Sequence, residues 1–229
     1  MGPTTMSVAL NGPIQGKRLP LVVMSHGNGG SFLSHFDTAI ALADAGFIAV
    51  AVTHTGDNYA DQSRSLRVTD RSRHMSRAID YMLSAWDGRG AIDPTRIGIF
   101  GMSSGGFTAL ASIGGLPDFS KIGPTCERHP GDYACRLIAK SGSTEPPTSH
   151  TTVARNAMDP RIKSAVVAAP ALGFTFSAKD LANVTAPCSC GAPRTMRSFR
   201  IRATPKQFGS RCHGRRSIAW CPRPGISMF

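Results

Sequence analysis

One stretch constrains this chain more than any other: Arg96-Ile97-Gly98-Ile99-Phe100-Gly101-Met102-Ser103-Ser104-Gly105. Ile97 to Phe100 reads as a short buried strand, and Gly106 to Ser112, small and apolar, reads as a helix. Between them stands G-x-S-x-G, the pattern of a nucleophile elbow. A serine hydroxyl attacks well only where a base can reach it, so it must stand exposed. A sharp strand-to-helix turn exposes it and leaves no room for side chains at Gly101 and Gly105. The backbone N–H of Ser104, at the helix N-terminus, then faces a developing oxyanion. The alternative reading is a plain Gly/Ser-rich turn.

The residues before the elbow supply a second piece. Leu19 to Met24 is a continuous apolar run, read as a buried parallel strand. It ends in Ser25-His26-Gly27-Asn28-Gly29-Gly30, the form of the loop that gives a second oxyanion donor, here from Gly27 or Asn28. His26 reads as a residue that positions this loop rather than as a general base. Phe32 to Ala45 reads as a helix closed by Gly46, and Phe47 to Val52 as the next strand. His54 follows at that strand's carboxyl end, where open α/β sheets bind ligands; it reads either as lining a pocket or as a solvated loop residue.

Five arginines (Arg64, Arg67, Arg71, Arg73, Arg77) read as a solvated helix face. Asp70 is placed to cap a helix running to about Trp86, whose apolar positions Met75, Ile79, Met82, Leu83 and Trp86 read as core. Asp93-Pro94 turns the chain into the elbow strand.

After the elbow helix, Gly114 to about Thr152 reads as an irregular insertion, a lid or substrate-shaping cap. Cys126 and Cys135 in it are either one disulfide, implying an oxidising compartment, or two free thiols. Cys, His, Asp and Cys there match no metal-ligand spacing, and no metal is expected. Asp159-Pro160-Arg161 opens the strand Ile162 to Ala168. Phe174 and Phe176 line a pocket or fill the core, and Ala178 to Val184 approaches one more strand.

The 229 residues suit one α/β domain. The net charge of +12 suggests a nucleic-acid binder until it is divided. Up to Pro187 the chain carries 17 basic and 14 acidic residues; from Cys188 on it carries nine basic and none acidic. Four of the six cysteines (Cys188, Cys190, Cys212, Cys221) fall in that second part. Domain boundaries are therefore set at 1–187, with the insertion at about 114–152, and a basic, disordered tail at 188–229. No apolar run reaches the ~18 residues of a membrane span. Met1 to Leu10 lack a signal peptide's basic start and apolar core, so the chain as written reads as cytoplasmic.

With these pieces in this order, residues 20–187 resemble the α/β-hydrolase fold. LVVMSHGNGGS, RIGIFGMSSGG, PTCERHPGDYACRL and DPRIKSAVVAAPALGF are similar to segments of the bacterial dienelactone-hydrolase-like and platelet-activating-factor-acetylhydrolase-like group. The resemblance covers about three quarters of the chain. It implies a mostly parallel sheet with helices on both faces and ester hydrolysis through an acyl-enzyme on Ser103. It implies no cofactor, a small ester or lactone substrate, and an exported protein with a leader and extra strands before the first one here. Against that group the chain reads as shortened at its N-terminus.

The resemblance also implies a triad acid after the strand beyond Val184 and a histidine near the end. Residues 188–229 hold no Asp or Glu, and their one histidine, His213, lies between Cys212 and Gly214. Neither partner is evident. A reading frame slipped by one base near Pro187 accounts for both. Read one base earlier, the codons of Cys188 to Met196 allow (Val/Leu/Met)-Gln-Leu-Trp-Gly-Ala-Glu-Asn-Asp. Those of Cys221 to Met228 allow a segment ending Pro-Gly-His-Phe-Asp-Val. The expectation is a serine hydrolase impaired by loss of its triad acid and base, with a sheet edge left uncovered. The rival readings are a degenerate hydrolase that only binds a small ligand, and a nucleic-acid binder acting through the basic tail. Phe199, Phe208, Trp220 and Phe229 form no recognisable module there, so no specific nucleic acid is expected.

Overall fold

The computed structural model describes residues 11–141 and 157–191. Five strands form one parallel sheet: β1 (Leu19–Ser25), β2 (Ile48–Ala51), β3 (Ile92–Met102), β4 (Ile162–Ala168) and β5 (Cys188–Gly191). Their order across the sheet is β2-β1-β3-β4-β5. Helices α1 (Phe36–Asp44), α2 (Asp70–Ser84) and α3 (Ser104–Ser112) belong to the crossovers, and α4 (Ile122–Arg128) and α5 (Tyr133–Ser141) to the insertion. The architecture is α/β, with the parallel sheet and strand–elbow–helix unit of an α/β-hydrolase fold.

Strand alternation sorts the apolar residues onto two faces. Leu21, Val23, Ile97, Ile99, Ala165 and Val167 point to the side of α2 and α3 and join the main core with Met75, Ile79, Phe107 and Phe176. Val22 and Met24 point the other way and pack with Leu42 of α1 in a much smaller cluster. Phe100 is only half-buried on that second face, and with Val22, Gly98 and Val166 it lines a shallow groove beside α1.

Several boundaries differ from the sequence reading. α1 starts at Phe36 because the chain from Ser31 still turns, with Ser34 N–H donating to the Ser31 carbonyl (3.0 Å). Thr69, not Asp70, precedes α2, and no side chain caps it; the Asp70 carboxylate pairs with Arg67 instead (3.0 Å). The insertion is more regular than its composition suggests, holding a short 3-10 turn (Phe119–Lys121) before α4 and α5. Lys121 ties it to the loop before β5 through Asp180 (2.7 Å). The sheet also continues past Pro187: Cys188 to Gly191 pair in register with Ala165 to Ala168. The sequence reading places one more strand after Val184 but assigns residues 188–229 to a disordered tail; β5 takes the first four residues of that tail into the sheet. The rest of the basic tail, including Cys212, His213 and Cys221, lies outside the described residues.

Candidate active site

The registers Ser25↔Gly101 and Met102↔Ala168 bring the carboxyl ends of β1, β3 and β4 level with one another. Ser103 sits there, between β3 and α3, at φ +55° and ψ −119°. That backbone region is costly for a residue with a side chain. It is held by Ser103 N–H donating to the Ala168 carbonyl and by Ala171 N–H donating to the Ser103 carbonyl, both at 2.9 Å. The turn is tight enough that a Cβ on Gly101 would overlap the Gly105 carbonyl, and one on Gly105 the Ser25 carbonyl. Ser104 is the first residue of α3 and is buried, so its N–H belongs to the helix's open first turn.

The loop after β1 stands against the serine. A Cβ on Gly27 would lie 3.5 Å from Ser103 Cβ and 4.0 Å from Oγ. Asp57, from the loop after β2, holds this loop from below: its Oδ1 accepts from Asn28 Nδ2 (2.8 Å) and Gly29 N–H (2.9 Å). Arg71 of α2 donates through Nη2 to the His26 carbonyl (2.6 Å). Its Nε lies 3.7 Å from Asp57 Oδ2, with both side chains almost fully buried.

His26 is locked by the same network. His54 N–H donates to His26 Nε2 (3.1 Å), so the ring proton is assigned to Nδ1. Nδ1 then donates to the Gly27 carbonyl (2.6 Å), and Arg71 Nη2 at 3.1 Å is a close neighbour of that nitrogen rather than a donor to it. Both ring nitrogens are used, and the side chain positions the loop.

His54 is neither solvated nor part of an open pocket: it is completely buried. Its Nε2 meets Ser25 Oγ at 2.9 Å and its Nδ1 meets His74 Nδ1 at 3.1 Å. A serine–histidine pair with both members at 0 % exposure has no path for a substrate. Phe174 is half-buried and packs against the main core. A disulfide joins Cys126 to Cys135.

Burial pushes the pKa values of His26, His54 and His74 down, and the Arg71 charge pushes in the same direction. Burial also draws the Arg71 guanidinium down to about 10 against the opposing pull of Asp57, so it stays charged at neutral pH. A histidine with a lowered folded pKa is protonated first in the unfolded chain, near its ordinary 6.5. Stability is therefore full above that value and falls as the pH drops below it. His54 alone is expected to remove about 2 kcal/mol between pH 7 and pH 5. Urea midpoints measured at the two pH values check this; equal midpoints mean that the folded chain accepts these protons.

Ser103 Oγ makes no hydrogen bond to a side chain among the described residues. The structure thus brings Ser103 and Ser104 together with the Gly27–Asn28 loop, and among the described residues no side chain is hydrogen-bonded to Ser103 Oγ as a base. Sequence reasoning missed Arg71, Asp57 and Tyr133, whose hydroxyl donates to Asn28 Oδ1 (3.0 Å). For Arg71 a signal existed: it lies four and eight residues before Met75 and Ile79, on the same helix face.

No protein-family model matches the chain, and neither does any curated protein sequence. Solved structures similar to it include DcsB in complex with a substrate analogue, at 16 % identity over 68 % of this chain and 38 % of that one, TM-score 0.39. A Pyrobaculum calidifontis esterase is 21 % identical over 71 % of this chain and 40 % of its own, TM-score 0.36. The chain thus spans about two fifths of the length of these structures.

Proposed function

We propose that this chain is the scaffold of a serine-dependent carboxylic-ester hydrolase working through an acyl-enzyme. Ser103 Oγ attacks the ester carbonyl, and the charge that forms on the carbonyl oxygen is received by the N–H groups of Ser104 and of Gly27 or Asn28. The alcohol leaves, and water releases the acyl group from Ser103. The observation that carries the reading is the Ser103 backbone at φ +55° at the head of α3, with Gly27 packed against it. The surroundings suit a small uncharged ester or lactone: Met102 beside the serine and Tyr59 and Tyr133 next to the Gly27–Gly30 loop are exposed.

The reading includes impaired activity. The serine has no base among the described residues, so its proton must pass to water. β5 lies beside β4, where the resemblance puts the strand that leads to the acid, and the codons read one base earlier allow Glu and Asp just after it and His near the end. The missing base also suits the rival reading, a scaffold that only binds its ligand.

The test compares the chain as it stands, Ser103→Ala, and a version read one base earlier from codon 188. Each is treated with a fluorophosphonate probe and a short-chain nitrophenyl ester. The restored version is expected to turn over about a thousandfold or more faster than the chain as it stands, and Ser103→Ala to lose that rate. A restored, folded version that does not label at Ser103 removes the hydrolase reading in favour of binding alone. Full turnover by the chain as it stands removes the account of a lost triad.

A further inference from the structure

The insertion makes a contact that ester hydrolysis does not itself require. α4 and α5 are joined by a short turn, with Asp132 N–H donating to the His129 carbonyl (3.0 Å) and Arg136 N–H to that of Asp132 (2.9 Å). α4 buries none of its residues, and α5 buries only Cys135. The disulfide fastens α4 to that one buried position, and the loop it closes contains Tyr133. Tyr133 is 54 % exposed, yet its hydroxyl reaches Asn28 Oδ1 across 105 residues of chain. Asn28 Nδ2 is meanwhile held by the buried Asp57. The Asn28 side chain is thus gripped from below by the core and from outside by the hairpin.

We propose that Tyr133 is a positioning residue for the Gly27–Gly30 loop, and that the Cys126–Cys135 disulfide controls it. This rests on the reading of Gly27 and Asn28 as oxyanion donors. With the bond closed, α4 and α5 move as one body and Tyr133 stays on Asn28. A dithiol reductant opens it: two electrons break the S–S bond, Cys126 and Cys135 each gain a proton, and the reductant's sulfurs join in their own disulfide. Cys126 is half-buried, which leaves a side open to such a reagent. Ile122 at the start of α4 packs on the main core, but no later residue of α4 is buried. Once the bond is open, the end of α4 and the turn to Tyr133 lose their link to Cys135, and the Tyr133 hydroxyl loses its fixed place over the loop.

Hydrogen–deuterium exchange on the full chain tests this, in the oxidised form, after dithiothreitol, and for Tyr133→Phe and Cys126→Ser/Cys135→Ser. Alkylation and mass spectrometry establish the state of the bond in each sample. Reduction is expected to speed exchange at Asn28 to Gly30 about tenfold, leaving β1 and β3 unchanged. Oxidised Tyr133→Phe is expected to show the same increase, and its reduction to add nothing. An unresponsive loop overturns the proposal. So does an equal effect of reduction in Tyr133→Phe, which means that the bond acts by another route. Loosening of β1 and β3 with the loop makes the disulfide a general staple and overturns it too. Ser103 labelling fails separately: a loop that responds in a chain whose restored form never labels removes the hydrolase reading and leaves this coupling standing.

Discussion

Gly105→Ala is expected to cost about 4 kcal/mol or more, a large part of the ~5–15 kcal/mol that holds a domain of this size folded. The new methyl group would overlap the Ser25 carbonyl and stand 3.0 Å from that of His26. At Gly101 it would overlap the Gly105 carbonyl and stand 2.9 Å from Gly106 N. Every neighbour is main chain. An oversized residue in an ordinary core costs about 1–3 kcal/mol because side chains turn aside; here relief comes only by parting α3 from the end of β1. That breaks the pairing that sets the Gly27 loop against Ser103. Gly90 is the control, since a Cβ there meets nothing within 4 Å, and Gly90→Ala is expected within about 0.5 kcal/mol of the parent. Urea unfolding followed by far-ultraviolet circular dichroism separates the two. A Gly105→Ala midpoint equal to the parent's would mean that the turn is not closed in this way.

That turn was also the most legible part of the sequence, for the same reason. Where backbones approach so closely, only glycine fits, and glycines at fixed spacing around a serine leave a mark that a single chain displays. The strand Leu19 to Met24 was legible because both its faces are covered, which makes it read as an apolar run; in Ile162 to Ala168 one face alone is buried, through Ile162, Ala165 and Val167. The insertion was less so. α4 and α5 are short and almost unburied, so no apolar period builds up to announce them. Cys126 and Cys135 gave no choice between a bond and two thiols, because spacing does not fix the geometry of a pair.

His54 departs from its sequence reading for a different reason. A residue just past a strand's end is normally solvated, but His54 is covered by His26, His74 and Ser25, which are contacts made across the fold. Arg71 was hidden by its neighbours. Four exposed arginines of the same segment surround it in the sequence, and composition gave it their reading. What separates it is helix phase, which places it on the face of Met75 and Ile79 and against the Gly27 loop.

The support that Arg71 and Asp57 give that loop leads to the second large effect. Arg71→Met and Asp57→Asn are each expected to cost about 3–5 kcal/mol, because each leaves the other's charge buried without its opposite. The pair is poorly satisfied as it stands. Arg71 Nε and Nη1 and Asp57 Oδ2 have no hydrogen-bond partner, and the two charges meet at 3.7 Å. So loose a pair is weak evidence for stability in itself; what it does visibly is hold the His26 carbonyl through Arg71 and Asn28 and Gly29 through Asp57. The double variant Arg71→Met/Asp57→Asn removes both charges and keeps a carbonyl oxygen for the Gly29 N–H. It is expected to be more stable than the sum of the single losses by about 2 kcal/mol. Arg73→Met, on the exposed side of the same helix, is expected within about 0.5 kcal/mol of the parent. Urea unfolding of the four variants gives the coupling directly. Strictly additive losses would mean that the charges do not act on one another, and that Arg71 is held by the His26 carbonyl alone.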